Sequence, residues 1–323
     1  MDRPTTLPPA PATPTDPAGV LLHGLVAGRD AADPVALGPR RGRVRRWCYA
    51  AAGDPDGVLV GAAVVSLGLV GTAFAFVHAD GRTTTWERRL PGRVVAVGRT
   101  PAAGARAVWR GSTVAIDGDG GLHLDLDTEA GRVRATVEVP VPGTPATLTT
   151  ATAAGGWNRT EKAAGHPARG VVEVDGVRRD LDGGGWRDWT AGRQDRHTVW
   201  RWAAGAGTSA DGRRVGLNVS TGMNALADGE DVVWWDGVPH ALDVTGLAPA
   251  VATDPAGAWV VGGPGWELVL EPWGVRAADE DLRVVRSRYV QPLGVLRGTL
   301  PGPDGQPVGV RLTGVTEDHE ATW

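Results

Sequence analysis

The chain has 323 residues, of which 42% are hydrophobic and 22% are charged, and it carries a formal net charge of −4. This composition is that of a soluble globular protein, and the length allows either two domains or one large β domain. Basic residues are scattered rather than clustered, so nothing in the charge pattern favours nucleic acid or an acidic membrane surface as a partner.

Two features of the N-terminal region indicate the cellular compartment of the protein. The single cysteine, Cys48, excludes an internal disulfide, and a chain of this size without disulfides suits a reducing compartment. Residues 1–19 are rich in proline and lack the apolar run of a signal peptide, so we expect a disordered arm there. The sequence therefore predicts a cytoplasmic protein, with Cys48 as a small buried hydrophobic residue.

The uncharged stretch Val58–Val77 has two possible interpretations. It is long enough to cross a bilayer as a helix. It also contains glycines and many valines, and Asp-Gly pairs at Asp56 and Asp80 flank it, which are hairpin signals. We therefore predict two buried β-strands broken near Ser66–Gly68, and no integral membrane span.

Asp-Gly pairs occur ten times along the chain and separate short runs of β-forming residues. This dipeptide supplies the positive φ angles of tight hairpin turns. Only Thr316–Trp323 is expected to close as a short helical turn. The pattern predicts an all-β barrel or sandwich with few or no helices. The Pro- and Thr-rich stretch Pro140–Thr152 is the best internal boundary, and it gives domains at residues 20–152 and 153–323, each large enough for an eight-stranded barrel.

The segment Asp188–Trp202 mixes indole rings with charged side chains and is the leading candidate for a binding or catalytic site. Alternate residues of a strand share one face. Four residues are therefore expected to lie together, away from His197: Arg196, Thr198, Trp200 and Trp202. This face would line a ligand cavity, or its indoles would fill a barrel core while Arg196 pairs with Asp188 or Asp195 at the rim.

Asp188 and Lys162 are the candidates for proton transfer and charge stabilisation. Asp188 precedes Trp189, and a carboxyl beside an indole in a partly dry site suits a general acid; the alternative is that it caps a turn or holds Arg196. Lys162 is the only lysine in the chain and lies close to Trp157. It supplies a compact charge and an amine that arginine lacks, unless it is an ordinary solvated lysine.

The remaining polar candidates lie further along the chain. Glu317 and His319 form a predicted acid/base pair, because a carboxylate orients and charges an imidazole. Metal binding is not expected there, since consecutive residues do not converge on one ion. Asn218, in an apolar strand, and Glu230 are expected to bind a ligand. The sequence has no phosphate-binding loop, nucleophile elbow or dinucleotide fingerprint, so we predict no cofactor.

Eight short motifs follow one another along the chain. They are N-x-T-x-K at 158–162, G-x-V-x-V-D-G at 170–176, D-W-T-x-G at 188–192, R-x-T-x-W-x-W-A at 196–203, G-L-N at 216–218, an acidic pair at 230–231, W-D-G at 235–237 and E-x-H-x-A-x-W at 317–323. The series resembles the bacterial family catalogued as domain of unknown function 2804. The sequence departs from the family pattern at Asn158, where an aromatic residue is usual, at Asp231, where asparagine is usual, and at Leu69, which replaces a tyrosine.

That family is distantly similar to carotenoid 1,2-hydratase and AttH-type proteins, and in architecture to tocopherol cyclase and fungal Diels–Alder cyclases. The resemblance implies two lipocalin-like antiparallel β-barrels in tandem, with a pocket for a hydrophobic small molecule. It implies no particular reaction, because fold and function are separable.

Three functions fit these residues. The first is a cofactor-independent enzyme that cyclises, hydrates or isomerises a hydrophobic small molecule, with Asp188 as proton donor. Arg196 and Lys162 would position a polar end of that molecule or stabilise negative charge. Glu317 and His319 would be a second acid/base pair. The ligand-binding residues would be Trp157, Trp189, Thr198, Trp200, Trp202, Asn218 and Glu230. The second function is a lipocalin-like carrier, in which the same residues only bind. The third, an interaction protein, would need Arg196 and Lys162 on the outer surface.

Overall fold

The computed structural model describes residues 5–9, 23–27, 44–140, 144–152, 156–222, 229–281 and 286–322. These residues form two antiparallel β-sheets and two single-turn 3-10 segments, Gly92–Val94 and Pro101–Ala103, and they contain no α-helix. The all-β prediction is confirmed. No helix within these ranges is long and apolar enough to span a membrane.

The first sheet has 13 strands and forms a nearly closed barrel. Its strands are β1 (His23–Ala27), β2 (Arg45–Gly53), β3 (Leu59–Ser66), β4 (Val70–Ala79), β5 (Arg82–Pro91), β6 (Val95–Val97), β7 (Ala105–Trp109), β8 (Ser112–Ile116), β9 (Gly121–Thr128), β10 (Gly131–Glu138), β11 (Ala146–Ala151), β12 (Trp157–Val174) and β13 (Val177–Gly192). The order across the sheet is β5-β4-β3-β2-β13-β12-β10-β9-β8-β7-β6, and β11 pairs with β12 and β1.

The second sheet has nine strands and forms a half-barrel, as expected for tandem lipocalin-like barrels. Its strands are β14 (His197–Ser209), β15 (Arg214–Thr221), β16 (Val232–Trp235), β17 (Val238–Ala241), β18 (Gly246–Pro249), β19 (Trp259–Gly263), β20 (Trp266–Asp281), β21 (Arg286–Pro301) and β22 (Pro307–Thr322). The order is β17-β16-β15-β14-β22-β21-β20-β19-β18. The expected helical turn at the C-terminus is wrong, because β22 stays extended to Thr322.

Hairpin signals located the strands well. The apolar stretch after Asp56 forms the paired strands β3 and β4, as predicted, with their break at the Leu67–Leu69 turn. Asp80, Asp175 and Asp236 have φ angles of 52°, 49° and 50°, and the glycine after each is also in the positive-φ region. These are the paired positive φ angles of a two-residue type I′ turn. Cys48 is buried in the barrel interior, and burial raises the pKa of its thiol to about 11.

The first sheet continues well beyond the proline- and threonine-rich stretch. β12 pairs with β10 and β13, and β13 pairs with β2, so the chain passes from one sheet to the other between Gly192 and His197. The domain division at residue 152 stays a prediction about folding units, since the sheets do not change there. In the predicted arm, Thr6 forms a bridge with His240 and Leu7 is buried, so this part packs on the folded body. Much of the rest of the arm lies outside the described residues.

Three groups of buried side chains form the core. One fills the first barrel, one lies between the two sheets, and one lies on the far side of the second sheet. The first ten residues of β12 are all buried, because one face of this strand packs in the barrel and the other packs against the second sheet. Strands β12 and β13 therefore present alternate residues to two different environments.

The backbones of the two sheets approach closely at the glycine pair Gly165 and Gly216. Gly165 has a φ angle of 81°, at a register shift in β12, and a Cβ there would lie 2.7 Å from the amide nitrogen of Gly216 on β15. A Cβ on Gly216 would lie 2.3 Å from the carbonyl carbon of Ala164. Only glycine permits this approach, so the pair lets β12 and β15 pack closely at this point.

We expect Gly165→Ala to lower the free energy of unfolding by about 1–3 kcal/mol more than Gly176→Ala does. Both glycines have φ angles of 81°, but a Cβ on Gly176 meets nothing within 4 Å. The backbone cost is therefore matched, and the difference measures the steric cost between the sheets. Urea unfolding of both variants gives this difference. Equal destabilisation would show that the sheets do not meet at this point.

Candidate active site

A cavity of about 540 Å³ lies between the two sheets. One wall comes from β2–β5, β12 and β13, and the other comes from β14, β15, the loop before β16 and β20–β22. Its apolar lining includes Tyr49 and Phe74 on one wall and Trp200 and Trp202 on the other. Leu69, 70% exposed on the β3–β4 turn, lies at the mouth. A cavity of this size with few, convergent polar groups is typical of a small-molecule site.

Lys162 is the centre of the first polar cluster in the cavity. Its Nζ lies 2.9 Å from Asp188 Oδ1 and 2.9 Å from Glu230 Oε2, and all three side chains are buried. Lys162 and Asp188 are direct cross-strand neighbours on β12 and β13. Glu230 comes from the loop before β16. The cluster therefore joins the first sheet to the second with one cation and two carboxylates.

Neutral donors hold this cluster in place. Trp47 Nε1 donates to Asp188 Oδ2 at 3.0 Å, and Thr190 Oγ1 donates to Asp188 Oδ1 at 3.0 Å. Asn218 Nδ2 donates to the Glu230 carbonyl oxygen at 2.7 Å and its Oδ1 accepts from Trp202 Nε1 at 2.9 Å. Asp188 thus accepts three hydrogen bonds, one of them from an ammonium, which suits an ionised carboxylate.

Burial and charge act in opposite directions on the Lys162 ammonium. Burial lowers the pKa of Lys162, but Asp188 and Glu230 outweigh burial, so the net effect is a raised pKa. The side chain therefore stays an ammonium at neutral pH. This protonation state excludes Lys162 as a free amine nucleophile in the resting protein.

Glu317 is the centre of the second polar cluster. Its Oε1 accepts from Trp200 Nε1 at 3.0 Å and lies 3.2 Å from His319 Nδ1. Its Oε2 accepts from Gln291 Nε2 at 2.7 Å and lies 3.8 Å from Arg276 Nη2. Burial raises the pKa of Glu317, but His319, Arg276 and Trp200 outweigh burial and lower it overall. Glu317 is thus a fixed, fully hydrogen-bonded carboxylate.

His319 lies beside Glu317 on the wall of the cavity. Its Nε2 is 2.9 Å from Ser287 Oγ, and its ring packs against that of Trp200 with the centroids 4.0 Å apart. The extended β22 makes this possible, because residues 317 and 319 then share one face. Glu317 therefore orients the imidazole, and Trp200 fixes the plane of the ring.

Arg276 connects this second cluster to the first sheet. Its guanidinium lies over the rings of Phe74 and Tyr289, at 3.6 Å and 4.0 Å from their centroids, and its Nη1 is 3.1 Å from Glu87 Oε2. Tyr289 Oη also donates to Glu87. Burial raises the pKa of the Tyr289 phenol above its usual range, so the hydroxyl keeps its proton.

The charges that line the cavity do not balance. Three cations, Arg89, Lys162 and Arg276, face five carboxylates, Glu87, Asp188, Glu230, Glu280 and Glu317. With His319 neutral, the formal net charge of this lining is −2. A cavity of this charge, with indole faces in its wall, favours a cation or a developing positive charge and disfavours a carboxylate.

The structure brings most of the sequence-predicted residues to one cavity. Its lining includes Lys162, Asp188, Trp200, Trp202, Glu230, Glu317 and His319. Asn218 lies behind this lining, where it holds Trp202 and Glu230. Among the described residues, no cluster of His, Cys, Asp and Glu is arranged to hold a metal ion.

Four predicted site residues lie elsewhere. Trp157 and Trp189 are in the interior of the first barrel, because each is one residue out of phase with the cavity-facing residues of its strand. Arg196 is exposed in the bend before β14 and does not line the cavity, and Asp188 pairs with Lys162 instead. Thr198 is buried on β14, outside the cavity lining.

Several residues that line the cavity were not predicted from the sequence. The main ones are Trp47, Tyr49, Glu87, Arg276, Ser287, Tyr289 and Gln291. One signal was available, since the chain has only two tyrosines and both line the cavity. The charged residues could not be assigned to the cavity from the sequence. A strand with alternating polar residues has the same sequence pattern whether those residues face solvent or a cavity.

Comparisons with known proteins agree with this architecture. A family model described as "Domain of unknown function (DUF2804)" matches residues 29–323. A Nitrosomonas europaea protein assigned as AttH is 14% identical, with a TM-score of 0.55, and the match covers 96% of this chain and 99% of that one. Kievitone hydratase from Nectria haematococca is 11% identical, with a TM-score of 0.53, and 98% of each chain is covered. No curated protein matches the sequence. At these identities the structural likeness shows the fold alone.

Proposed function

The chain belongs to the family described as Domain of unknown function (DUF2804), and from that premise we propose that it is a cofactor-independent enzyme. It transfers a proton to or from a hydrophobic small molecule and thereby hydrates, cyclises or isomerises it. The observation that carries this proposal is the Glu317–His319 pair on the wall of a largely apolar, net negative cavity. One protein of similar fold, kievitone hydratase, is a hydratase by name.

His319 is the group that moves the proton. Its Nδ1 faces the buried Glu317 carboxylate, which orients the ring and stabilises the imidazolium. Its Nε2 side faces Ser287 and the cavity. Transfer of the Nε2 proton to a carbon–carbon double bond would generate a positive charge on the substrate. The same nitrogen, now neutral, would then remove a proton from an adding water or from a neighbouring carbon.

The walls stabilise the charge that this transfer creates. The faces of Trp200 and Trp202 offer cation–π contacts, and the excess of carboxylates over cations supplies a negative potential. Asp188 acts in this proposal as a fixed anion rather than as the proton donor, because Lys162, Trp47 and Thr190 already donate to it. Arg196 takes no part, since it is exposed outside the cavity.

A lipocalin-like carrier is the second candidate function. The apolar lining and the volume of the cavity favour it as strongly as they favour an enzyme. The two functions differ at His319. A carrier needs no oriented imidazole beside a buried carboxylate, whereas an acid/base enzyme does.

Two experiments in sequence test the proposal. Native mass spectrometry of protein purified from its own host identifies any co-purified molecule. That molecule is then incubated with the protein in D2O. We expect that molecule, or a compound of its class, to gain a carbon-bound deuterium with wild-type protein and not with His319→Gln. His197→Gln is the matched control, because His197 lies exposed on the opposite face of β14. Binding without deuterium incorporation would support the carrier and overturn the enzyme.

A further inference from the structure

Ser287, His319 and Glu317 form a continuous hydrogen-bonded series. Ser287 Oγ lies 2.9 Å from His319 Nε2, and His319 Nδ1 lies 3.2 Å from Glu317 Oε1. The serine is on β21 and the other two residues are on β22, so neighbouring strands hold the three groups. The two ring nitrogens thus face a hydroxyl on one side and a carboxylate on the other. This is the order of groups by which a serine hydroxyl is activated as a nucleophile.

The exposure of the three side chains increases from the carboxylate to the hydroxyl, as nucleophilic attack by the serine requires. The Glu317 side chain is 9% exposed and that of His319 is 15% exposed, while Ser287 is half-buried and lines the cavity. The carboxylate is therefore protected from water, and the hydroxyl meets the ligand. Trp200 and Gln291 each donate to one oxygen of Glu317, so the carboxylate beside His319 Nδ1 is held in place.

We propose that Ser287 is a nucleophile and that the cavity also carries acyl-transfer activity on esters with an apolar acyl or alcohol group. This activity uses the same histidine as the proposed proton transfer, but it does not depend on that function. Nothing in the sequence marked Ser287, because it lies outside any nucleophile elbow motif.

The acyl transfer needs only Ser287, His319, the ester and water. As Ser287 Oγ bonds to the acyl carbon, its proton passes to His319 Nε2, and the carbonyl π electron pair moves onto the acyl oxygen until the leaving group departs. When the ester carbon–oxygen bond breaks, the imidazolium returns that proton to the leaving alcohol. Water then attacks the acyl-serine by the same route, which releases a carboxylic acid and the free hydroxyl.

The charges around the serine favour protonation of His319 during the step and release of the product. When His319 is protonated, the group Arg276, His319, Glu87 and Glu317 becomes formally neutral. Glu280, directly opposite Ser287 in the β20–β21 ladder, binds Arg89, so a guanidinium lies at the same end of the cavity. A carboxylate product is then repelled by the net negative lining.

Labelling with a long-chain alkyl fluorophosphonate tests the proposal. We expect one modification per wild-type chain, located on Ser287 by peptide mapping with a protease other than trypsin, since Arg286 and Arg288 flank the serine. Ser287→Ala should show no labelling at an unchanged melting temperature. Ser66→Ala is the matched control, because this serine is half-buried like Ser287 but lies outside the cavity lining, and it should be labelled as wild type. His319→Gln should slow labelling by about 100-fold or more.

Two results would overturn the proposal. Wild-type protein that stays unmodified has no activated serine, and modification at any residue other than Ser287 assigns the nucleophile elsewhere. Neither result bears on deuterium incorporation into a bound ligand. Failure of this inference is therefore distinguishable from failure of the proposed proton transfer.

Discussion

Replacing Glu317 by glutamine is expected to lower turnover by about 100- to 10,000-fold while ligand affinity stays within a few-fold of wild type. Glutamine keeps the shape of the side chain, but its single amide oxygen can accept from only one of Trp200 and Gln291, and the charge beside His319 is removed. The imidazolium then loses its stabilising partner, and the proton transfer is slowed. Steady-state turnover of the ligand found by native mass spectrometry, with its dissociation constant measured by calorimetry, gives both quantities.

Glu271→Gln on β20 is the matched control for this change. The Glu271 side chain is 63% exposed and lies 3.5 Å from Arg297, so its replacement should leave turnover unchanged. If Glu317→Gln kept full turnover, the Glu317–His319 pair would have no role in the reaction.

The lowered pKa of Glu317 also predicts a pH dependence of stability. A carboxyl whose folded pKa is depressed stabilises the protein above its unfolded pKa, and this contribution is lost as the pH falls through the folded value. Glu317→Gln should therefore flatten the acid side of the stability profile. Melting temperatures of both proteins across the acid range report this difference.

Replacing Lys162 by methionine is expected to lower the free energy of unfolding by about 3–5 kcal/mol. The substitution leaves Asp188 and Glu230 buried without the cation that both contact at 2.9 Å. Because Asp188 and Glu230 raise the folded pKa of Lys162, its stabilisation is fully present below the ordinary lysine pKa and is lost only as the pH rises through the higher folded value. Urea unfolding at neutral pH measures the loss.

Arg169→Met provides a control on the same two strands. Arg169 and Asp182 are cross-strand neighbours on β12 and β13, as Lys162 and Asp188 are, but their side chains are 74% and 72% exposed. We expect this change to cost less than about 1 kcal/mol. If the two losses were equal, burial would add nothing to the Lys162 ion pairs. Adding Asp188→Asn and Glu230→Gln to Lys162→Met should recover part of its loss, since no unpaired charge then remains.

Local signals in the sequence were sufficient to locate several of the strands. Asp-Gly pairs and valine-rich runs located the β3–β4 hairpin, and the alternation after Arg196 placed Trp200 and Trp202 on one face. These inferences succeed because turn chemistry and the two-residue period of a strand depend only on neighbouring residues. The unique Lys162 and the Glu317/His319 pair were also identified as candidates, and both line the cavity.

Predictions of which side chains face the cavity were less successful, because they depend on which face of each sheet packs against the other sheet. Trp189 is adjacent to Asp188, yet it faces the barrel interior while the carboxylate faces the cavity. Glu87 and Arg276 are far apart in the chain and meet only because β5 and β20 lie on opposite sides of the cavity. The helical turn expected near Glu317 failed because β22 pairs with both β14 and β21 along its length.

The sequence by itself determined the all-β class, the family and the main chemical groups, because each of these depends on residue type and short-range order. Only the tertiary structure decided how those groups combine. It pairs Asp188 with Lys162 rather than with Arg196, places Ser287 against His319, and closes one cavity between two sheets. The physical reason is that strand pairing and sheet packing join residues distant in the chain, and whether a polar face meets water or a partner depends on those long-range contacts.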